Sequence, residues 1–411
     1  MKILFIHQNF PGQFKHLAPA LASQGHEVLA LTTRQESPSE WQGVKLIPYR
    51  PNRSSTPNIH PWLIDFETKT IRAEAVFYRA KQLKAQGLNP DLIISNPGWG
   101  ESLFIKEVWP QAKLAIYCEF FYQVEGGDVG FDPEFPQEED TIACRLRLKN
   151  LNNLLHFEVA DAGLSPTEWQ ANSFPSAFRQ RITVIHDGID TQVLSPNPNV
   201  SLTLNRQLTL TRADEIITFV NRNLEPYRGY HSFMRALPEI LARRPQAKVL
   251  IVGGNEVSYG APPGGNLSWR DIFLNEAKEK IPPEDLARIY FLGRIPYHNF
   301  VSLLQLSTVH VYLTYPFVLS WSLLEAMSCG CAIAASDTAP VREVIHDKKT
   351  GRLVDFFDYQ DIAEQVCHLL AHPEEREFLG KAARQMALER YDLKTICLPQ
   401  QLGWLADLGI V

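Results

Sequence analysis

The chain has 411 residues, of which 45% are hydrophobic and 21% are charged, with a formal net charge of -6. This length exceeds what one hydrophobic core usually serves and predicts two domains, and the composition is typical of a soluble globular protein. No run of five like charges is present, so the sequence lacks the basic footprint of nucleic-acid binding. No segment approaches the roughly 18 apolar residues of a membrane span.

The cysteines and the N-terminus indicate the compartment. None of the six cysteines forms a Cys-x-x-Cys pair or a zinc-ligand spacing, which predicts buried reduced thiols in a reducing environment. The first apolar run, residues 2–6, is too short for a signal peptide. We therefore expect a cytoplasmic protein, and peripheral docking at the inner face of a membrane stays compatible with the sequence.

The first half of the chain alternates short apolar strands with helices. A strand at residues 3–6, a loop containing Gly12, a helix at residues 14–24 and a strand at residues 28–31 form a β-α-β unit, which implies a parallel sheet. Gly12 would let a phosphate or a sugar approach the backbone at the carboxyl edge, although any tight turn can use one glycine. Later strands are predicted at residues 91–95, 114–118, 162–165 and 182–185.

A composition change marks the domain boundary. The Pro- and Asn-rich residues 195–199 and the polar stretch to residue 214 predict the interdomain linker. We place an N-terminal domain at residues 1–198 and a C-terminal domain at residues 199–389. A final helix, about residues 390–411, is expected to pack back on the first domain. The predicted class is α/β, with two doubly wound domains facing one another across a cleft.

Two arginines follow the first strand of the second domain, which is predicted at residues 216–220. Arg222 and Arg228 lie six apart in a turn that precedes a helix. Two guanidinium groups beside a helix N-terminus can clamp a diphosphate, because each offers forked donors to phosphate oxygens. The alternative is a pair of surface arginines in a loop, but their spacing after a parallel strand favours the clamp.

Residues 311–344 predict a strand, a loop, a helix and a second strand. Ser320 or Ser322 can cap the N-terminus of this helix, and Gly330 suits its C-terminus. The N-terminal end of a helix favours an anion. Glu325 is expected on the first helical turn. Its carboxylate could accept hydrogen bonds from two ribose hydroxyls there, or it could merely complement the helix dipole.

These segments together carry a family resemblance. The chain resembles the retaining GT-B glycosyltransferases of family 4, the glycosyl transferases of group 1. Each matching segment is modest by itself, but their order and spacing are specific. The segments are residues 2–6 with the Gly12 loop, 185–190, 221–229, 250–254, 291–294 and 324–330.

The resemblance implies roles for the donor side of the site. By position, Arg222 and Arg228, the second of which is usually lysine in the family, hold the donor diphosphate, and Glu325 holds the ribose. The fold implied is GT-B, with two Rossmann-like domains, of which residues 1–198 are the acceptor-side domain and residues 199–389 the nucleotide-sugar-binding domain.

Further residues complete the implied donor site. Backbone groups near Arg294 and Ile295 line the nucleobase, and loop amides around Leu319 and Ser320 approach the phosphate or the sugar. Gly12 opens the N-terminal face of the cleft.

One position departs from the family pattern. The family motif is Glu-x7-Glu, and the position eight residues before Glu325 is Phe317. In the family, this glutamate accepts hydrogen bonds from hydroxyls of the donor sugar, and phenylalanine cannot accept those hydrogen bonds. The sugar would then be held by other groups, carry fewer hydroxyls or bind weakly, and a non-catalytic relative becomes an alternative.

The acceptor-side carboxylate stays open between two residues. Glu119 is the ionisable residue at the position aligned with the family's catalytic centre, and Glu101 has a similar claim from the preceding turn. Glu119 could orient the acceptor hydroxyl or be a strand-end residue bonded to a backbone amide. His7 and His186 are each better explained as hydrogen-bonded strand-end residues.

The expected reaction needs no protein nucleophile and no metal. In retaining enzymes of this fold the leaving phosphate is thought to serve as the base, so Arg222, Arg228 and a helix N-terminus need only position and stabilise charge. We expect a hexosyl- or related glycosyltransferase (EC 2.4 class), acting on a nucleotide-sugar donor and a carbohydrate or lipid-linked acceptor.

Two alternatives to a glycosyltransferase are an epimerase-like nucleotide-sugar enzyme and an inactive nucleotide-sugar-binding protein. A dinucleotide oxidoreductase is disfavoured, because no Gly-x-Gly-x-x-Gly follows the first strand.

Overall fold

The computed structural model describes residues 1–34, 39–136, 139–204 and 207–409. They group into two compact units, Met1–Gly188 with Lys394–Val411, and Ile189–Leu393. Each unit is built on its own parallel sheet. The predicted α/β class with two doubly wound, Rossmann-like domains is therefore confirmed.

The first unit contains a sheet in the order β3-β4-β2-β1-β5-β6-β7-β8. Every neighbouring pair is parallel except β3 with β4. Its strands are β1 (Lys2–Ile6), β2 (Glu27–Thr32), β3 (Glu40–Trp41), β4 (Val44–Pro48), β5 (Leu92–Ser95), β6 (Lys113–Tyr117), β7 (Ala162–Ser165) and β8 (Ile182–Val184). Its helices are α1 (Leu17–Ser23), α2 (Ile64–Ala85), α3 (Ile105–Val108), α4 (Glu139–Val159), α5 (Glu168–Asn172), α6 (Ser176–Arg179) and the final α15 (Leu398–Asp407).

Both faces of this first sheet are covered. Along β1, Ile3 and Phe5 belong to one apolar cluster, and Leu4 and Ile6 belong to another on the opposite face. A strand buried on both faces is expected to be continuously apolar, as in parallel α/β sheets. Trp404 of α15 is buried in the same cluster as Ile3 and Phe5, so the end of the chain packs on the first unit.

The second unit contains a parallel sheet in the order β13-β12-β11-β14-β15-β16, together with a separate antiparallel hairpin of β9 and β10. Its strands are β9 (Ser201–Leu204), β10 (Leu208–Thr211), β11 (Ile216–Asn223), β12 (Lys248–Gly254), β13 (Ile289–Gly293), β14 (Val309–Tyr312), β15 (Ala332–Ser336) and β16 (Arg352–Val354). Its helices are α7 (Tyr230–Arg243), α8 (Trp269–Lys278), α9 (Pro283–Leu286), α10 (Tyr297–Leu306), α11 (Trp321–Ser328), α12 (Ala339–Arg342), α13 (Tyr359–Ala371) and α14 (Pro373–Arg390).

The boundary between the units differs from the predicted one at 198/199. The first unit ends at Gly188, because the backbone of Ile189 already bonds to the end of the second unit: its N–H donates to the Tyr391 carbonyl (2.8 Å) and its carbonyl accepts from Leu393 N–H (2.9 Å). The stretch that we predicted to be a linker contains β9 and β10, whose Leu204 and Leu210 are buried in the core of the second unit. Alternating apolar residues outweigh the polar composition there.

Among the described residues, no helix is both long enough and apolar enough to cross a bilayer.

The packing of α14 beside the end of α11 depends on a glycine. A Cβ atom on Gly380 would overlap with the carbonyl oxygen of Gly330, and backbone cannot move aside as a flexible side chain can. We predict that Gly380→Ala lowers the free energy of unfolding by about 1–3 kcal/mol, the usual cost of overpacking, measured by denaturant unfolding. Gly264→Ala is the control, since a Cβ there meets nothing within 4 Å. Equal stability of the two variants would contradict this account.

Candidate functional site

The strand order of the second sheet reverses direction between β11 and β14. The chain moves outward from β11 through β12 to β13, and then returns to place β14 on the other side of β11. In open parallel sheets, ligands bind in the crevice outside the carboxyl ends of the strands at such a point. The end of β11 contains the predicted Arg222, and the segments that follow β11 and β14 contain Arg228, Phe317 and Ser320.

Arg222 is an exposed cation at the end of β11. The strand continues to Asn223, so Arg222 lies on the strand and not in the turn where we had predicted it. Its side chain is exposed and makes no hydrogen bond or ion pair with the residues that the structure describes. The guanidinium is therefore available to a ligand.

Arg228 is buried, in contrast to Arg222. It ends a 3-10 turn, Pro226–Arg228, and is only 6% exposed. Its Nη1 donates to Thr314 Oγ1 (2.7 Å) and to the Val318 carbonyl (3.1 Å), two groups in the loop after β14. Arg228 therefore joins the segment after β11 to the segment after β14.

The next residue, Gly229, allows this approach. Its φ is +66°, and a Cβ atom there would overlap with Cβ of Leu313. A left-handed backbone costs an L-residue roughly 1–2 kcal/mol, and the overlap adds to that cost. A glycine is therefore required after Arg228 for reasons of backbone geometry.

Aromatic rings surround the Arg228 guanidinium. Its Cζ lies 5.1 Å from the ring centroid of Tyr259 and 5.9 Å from that of Phe317. The two rings contact each other, with centroids 5.0 Å apart, and Phe317 also packs edge-on against Tyr227 at 5.4 Å. Phe317 is 6% exposed, so it is a packed side chain at the position where the family motif has glutamate.

Glu225 is a carboxylate of this site that the sequence analysis missed. It is fully buried, and its Oε2 accepts from the backbone N–H groups of Ser258 (2.9 Å) and Tyr259 (3.0 Å). The pKa of Glu225 is raised above its ordinary value, because the effect of burial outweighs the opposing effects of these two hydrogen bonds and of the nearby Arg228 and Arg222. Its position between Arg222 and Arg228 in the sequence is a signal that could have identified it.

The loop and helix after β14 form the other wall. Ser320 caps α11: its Oγ accepts from Ser322 N–H, and its own N–H donates to Tyr312 Oη (3.0 Å). Ser320 is thus the capping residue of the two serines considered, and its amide already has a partner. The side chain of Leu319 is buried in the core, so only backbone groups of Leu319 could approach a ligand.

Glu325 is the fifth residue of α11, one residue beyond the first turn where we had predicted it. Its carboxylate is 7% exposed and accepts a hydrogen bond from Tyr297 Oη (2.9 Å). Burial and this carboxylate raise the pKa of Tyr297. Tyr297 was not identified from the sequence, and its exposed ring marks one edge of the Glu325 carboxylate.

Arg294 and Ile295 follow β13. Arg294 Nη2 donates to Asn223 Oδ1 (3.2 Å) and also pairs with Glu256. A Cβ atom on Gly254 would lie 2.5 Å from Asn223 Oδ1, so this glycine makes room for the contact. The ends of β11, β12 and β13 are thereby joined, and Ile295 packs against the core.

The remaining predicted residues lie in the first unit. Its sheet order reverses between β1 and β5, and the carboxyl ends of β5 and β6 carry Asn96 and Glu119. Asn96 Nδ2 donates to Glu119 Oε2 (3.2 Å), while Asn96 Oδ1 accepts from Gly98 N–H. Glu119 is partly exposed, so a carboxylate of fixed orientation lies at this edge.

Glu101 has a different environment. It is 1% exposed, and its Oε1 accepts from Tyr49 Oη (2.9 Å). Burial raises the pKa of Glu101 above its ordinary value of 4.5. Of the two carboxylates that the sequence left open, the accessible one is Glu119.

Gly12 faces a protein side chain in this structure. Its φ is +51°, and a Cβ atom there would lie 2.6 Å from the imidazole of His7. His7 is buried, and burial lowers its pKa to about 4; its Nδ1 accepts from Asn9 N–H (3.1 Å). The turn therefore needs glycine in order to pack on His7, a structural reason that is not visible in the local sequence.

Comparison with known proteins places the chain in a family. Two family models match: "Glycosyl transferase family 4 group" over residues 24–194 and "Glycosyl transferases group 1" over residues 203–386. The chain belongs to the family 4, group 1 glycosyltransferases, which confirms the resemblance.

Individual relatives are distant. The chain is 25% identical, over 57% of its length and 60% of the relative's, to a GDP-mannose-dependent alpha-(1-6)-phosphatidylinositol monomannoside mannosyltransferase from Mycolicibacterium smegmatis. The chain spans between about half and three-fifths of the length of this relative and of two further curated relatives.

Two solved structures share the fold over the whole chain. Sucrose-phosphate synthase from Thermosynechococcus elongatus has a TM-score of 0.75 at 18% identity, covering 100% of both chains. Anabaena HepE, in complex with UDP and glucose, has a TM-score of 0.71 at 17% identity, covering 99% of this chain and 100% of that one. These likenesses confirm the GT-B fold.

The buried Glu101 makes stability depend on pH in a defined direction. A carboxyl whose folded pKa is raised stabilises the fold below its unfolded pKa, and this contribution is lost as pH rises through the folded pKa. Glu101→Gln cannot ionise, and its amide oxygen can still accept from Tyr49. We predict that its unfolding temperature rises relative to wild type as pH increases from 4.5 toward neutrality.

Glu67→Gln provides the control of opposite sign. Hydrogen bonds from Thr56 lower the pKa of the exposed Glu67 below its ordinary value of 4.5. This variant should therefore lose stability relative to wild type as pH rises toward 4.5 from below, and the difference should stay constant from there toward neutrality. Wild-type and Glu101→Gln profiles that stay parallel from pH 4 to 8 would refute the assignment.

Proposed function

We propose that this chain is a retaining glycosyltransferase, which moves a sugar from a nucleoside-diphosphate donor to an acceptor hydroxyl. The observation that carries the proposal is Arg228, a buried cation whose protein partners are neutral, at the strand-order reversal of the second sheet. The exposed Arg222 precedes it and the capped N-terminus of α11 follows β14. All three features favour a multiply charged anion such as a diphosphate.

The chemistry that these groups serve is the loss of a phosphate leaving group. As the bond between the sugar carbon and the phosphate oxygen breaks, negative charge grows on the β-phosphate, where Arg222 and Arg228 stabilise it. The acceptor hydroxyl attacks from the face that the nucleotide leaves. Its proton passes to a phosphate oxygen, so the sugar keeps its configuration and the products are a glycoside and a nucleoside diphosphate.

The remaining donor contacts follow from the same arrangement. Glu325, whose carboxylate is oriented by a hydrogen bond from Tyr297, accepts hydrogen bonds from the ribose hydroxyls. Backbone groups at Arg294 and Ile295 face the base, and the loop at Leu319 and Ser320 contributes dipoles near the phosphate. Phe317 contributes no hydrogen bond to the sugar.

On the acceptor side we propose Glu119, held by Asn96, as the group that orients the attacking hydroxyl. A partly exposed carboxylate at a carboxyl edge can reach a substrate, whereas Glu101 is enclosed with Tyr49. We propose a carbohydrate or lipid-linked acceptor and action in the cytoplasm, with peripheral contact at the inner face of the membrane for a lipid-linked one. The relatives named for phosphatidylinositol mannoside and inositol phosphate support this acceptor class.

The proposal is tested in two steps. A thermal-shift screen of nucleotides and nucleotide sugars should find a donor, since a ligand at one hundred times its dissociation constant stabilises by about 2.7 kcal/mol. That donor should then release nucleoside diphosphate only when an acceptor is added. Donor turnover to an isomeric nucleotide sugar would indicate an epimerase, and binding with no turnover for any acceptor would indicate a binding protein; either result rejects the proposal.

Arg222 gives a sharp mutational test because it is exposed and makes no hydrogen bond or ion pair with the described residues. Arg222→Ala should lower kcat/KM by about one to two orders of magnitude, since a hydrogen bond to a charged group contributes about 1.5–3 kcal/mol. Its unfolding temperature should stay that of wild type. Arg243→Ala, which removes another exposed guanidinium of the second unit, should leave kcat/KM unchanged. Wild-type turnover in Arg222→Ala would remove Arg222 from the mechanism.

The charge-stabilising role of the arginines also predicts how transfer responds to metal removal. We propose that the guanidinium groups and the α11 N-terminus replace a divalent cation at the diphosphate. Transfer measured in an excess of EDTA should match transfer in added Mg²⁺. A loss of activity in the chelator that Mg²⁺ or Mn²⁺ restores would show that a metal takes part.

A further inference from the structure

Arg228 lacks the carboxylate partner that several other arginines of the second unit have. Arg235 pairs with Glu276 (2.8 Å), Arg288 with Asp285 (2.6 Å) and Arg352 with Glu375 (2.5 Å), and each of these is partly buried. Arg228 is buried too, yet it forms no ion pair with any carboxylate of the described residues. Its bonded partners are a hydroxyl and a carbonyl.

An unpaired buried charge is costly, because the protein replaces the hydration of the ion only in part. Here the replacement comes from the electron-rich faces of Tyr259 and Phe317, which attract a cation without carrying a negative charge. The rings pack against the guanidinium and, unlike a carboxylate, add no negative charge beside it.

A carboxylate that interacts electrostatically with Arg228 accepts hydrogen bonds from backbone instead. Glu225 Oε2 accepts from the N–H groups of Ser258 and Tyr259, and this fixes the backbone that carries the Tyr259 ring. Glu225 is close enough to feel both Arg228 and Arg222, but it does not form a salt bridge with either. It supports the ring that covers Arg228.

We propose that Phe317 is a positioning residue of the anion site, which holds Arg228 in place while leaving its charge for the phosphate groups of the ligand. A glutamate at position 317 would approach the guanidinium where the ring now lies, supply the missing charge from the protein, and compete with the ligand. In this chain, the substitution that restores the family motif should therefore weaken anion binding. That the ligand is a nucleoside diphosphate rests on the proposed function. The anion site itself is inferred from the contacts of Arg228.

The experiment compares Phe317→Glu with Phe317→Gln, using inorganic pyrophosphate as the probe and isothermal titration calorimetry as the measurement. The two variants lose the same ring and have side chains of nearly equal size, so their difference isolates the charge. Phe317→Glu should bind pyrophosphate at least about tenfold more weakly than Phe317→Gln, the lower end for a bond to a charged group. The unfolding temperatures of both ligand-free variants establish that they are folded.

Equal pyrophosphate affinity in the two variants, or tighter binding by Phe317→Glu, would overturn the inference. So would a wild-type protein that binds neither pyrophosphate nor any nucleoside diphosphate. If the glutamate variant does not fold, the same comparison is made with Tyr259→Glu and Tyr259→Gln, because the Tyr259 ring is the closer of the two and is partly exposed.

Pyrophosphate binding requires no sugar transfer, so the two proposals fail separately. Weaker pyrophosphate binding by Phe317→Glu, with no transfer by wild type to any acceptor, supports the inference and rejects the proposed function. Transfer by wild type, together with equal pyrophosphate affinity of the glutamate and glutamine variants, supports the proposed function and rejects the inference about Phe317.

Discussion

The close approach of two backbone segments at Gly229 is the constraint on which the candidate site depends. Because Gly229 has no Cβ, the turn after β11 can press against Leu313 at the end of β14. This contact places Arg228 next to the loop after β14, where Thr314 and Val318 accept its hydrogen bonds. Any larger residue would separate the two segments and with them the guanidinium from its acceptors.

Around this contact the chain places charge and aromatic surface in a definite order. Glu225 fixes the Ser258–Tyr259 backbone, Tyr259 and Phe317 cover the guanidinium, and the unpaired charge remains for a ligand. Phe317 thereby has a physical explanation as part of a packed ring cluster. An altered motif can mark a rearranged site as well as a lost one.

The two sheets use the same rule in different ways. Both reverse strand order beside their first strand, and both carry polar groups at the carboxyl edge there. In the second unit these groups are cations and a capped helix N-terminus, suited to an anion. In the first they are Asn96 and Glu119, joined by a hydrogen bond and suited to orienting a hydroxyl.

The sequence by itself determined the α/β class, the family and the strand-loop-helix segment that contains Glu325, because apolar periodicity and motif spacing are local properties of the chain. The tertiary structure alone decided the rest. The pairing of Ile189 with Tyr391 and Leu393 moved the domain boundary, and the packing of Gly12 on His7 gave that glycine a structural reason. Glu225 and Tyr297 joined the site through partners 33 and 28 residues away. Such contacts depend on how distant segments meet, which no local pattern specifies.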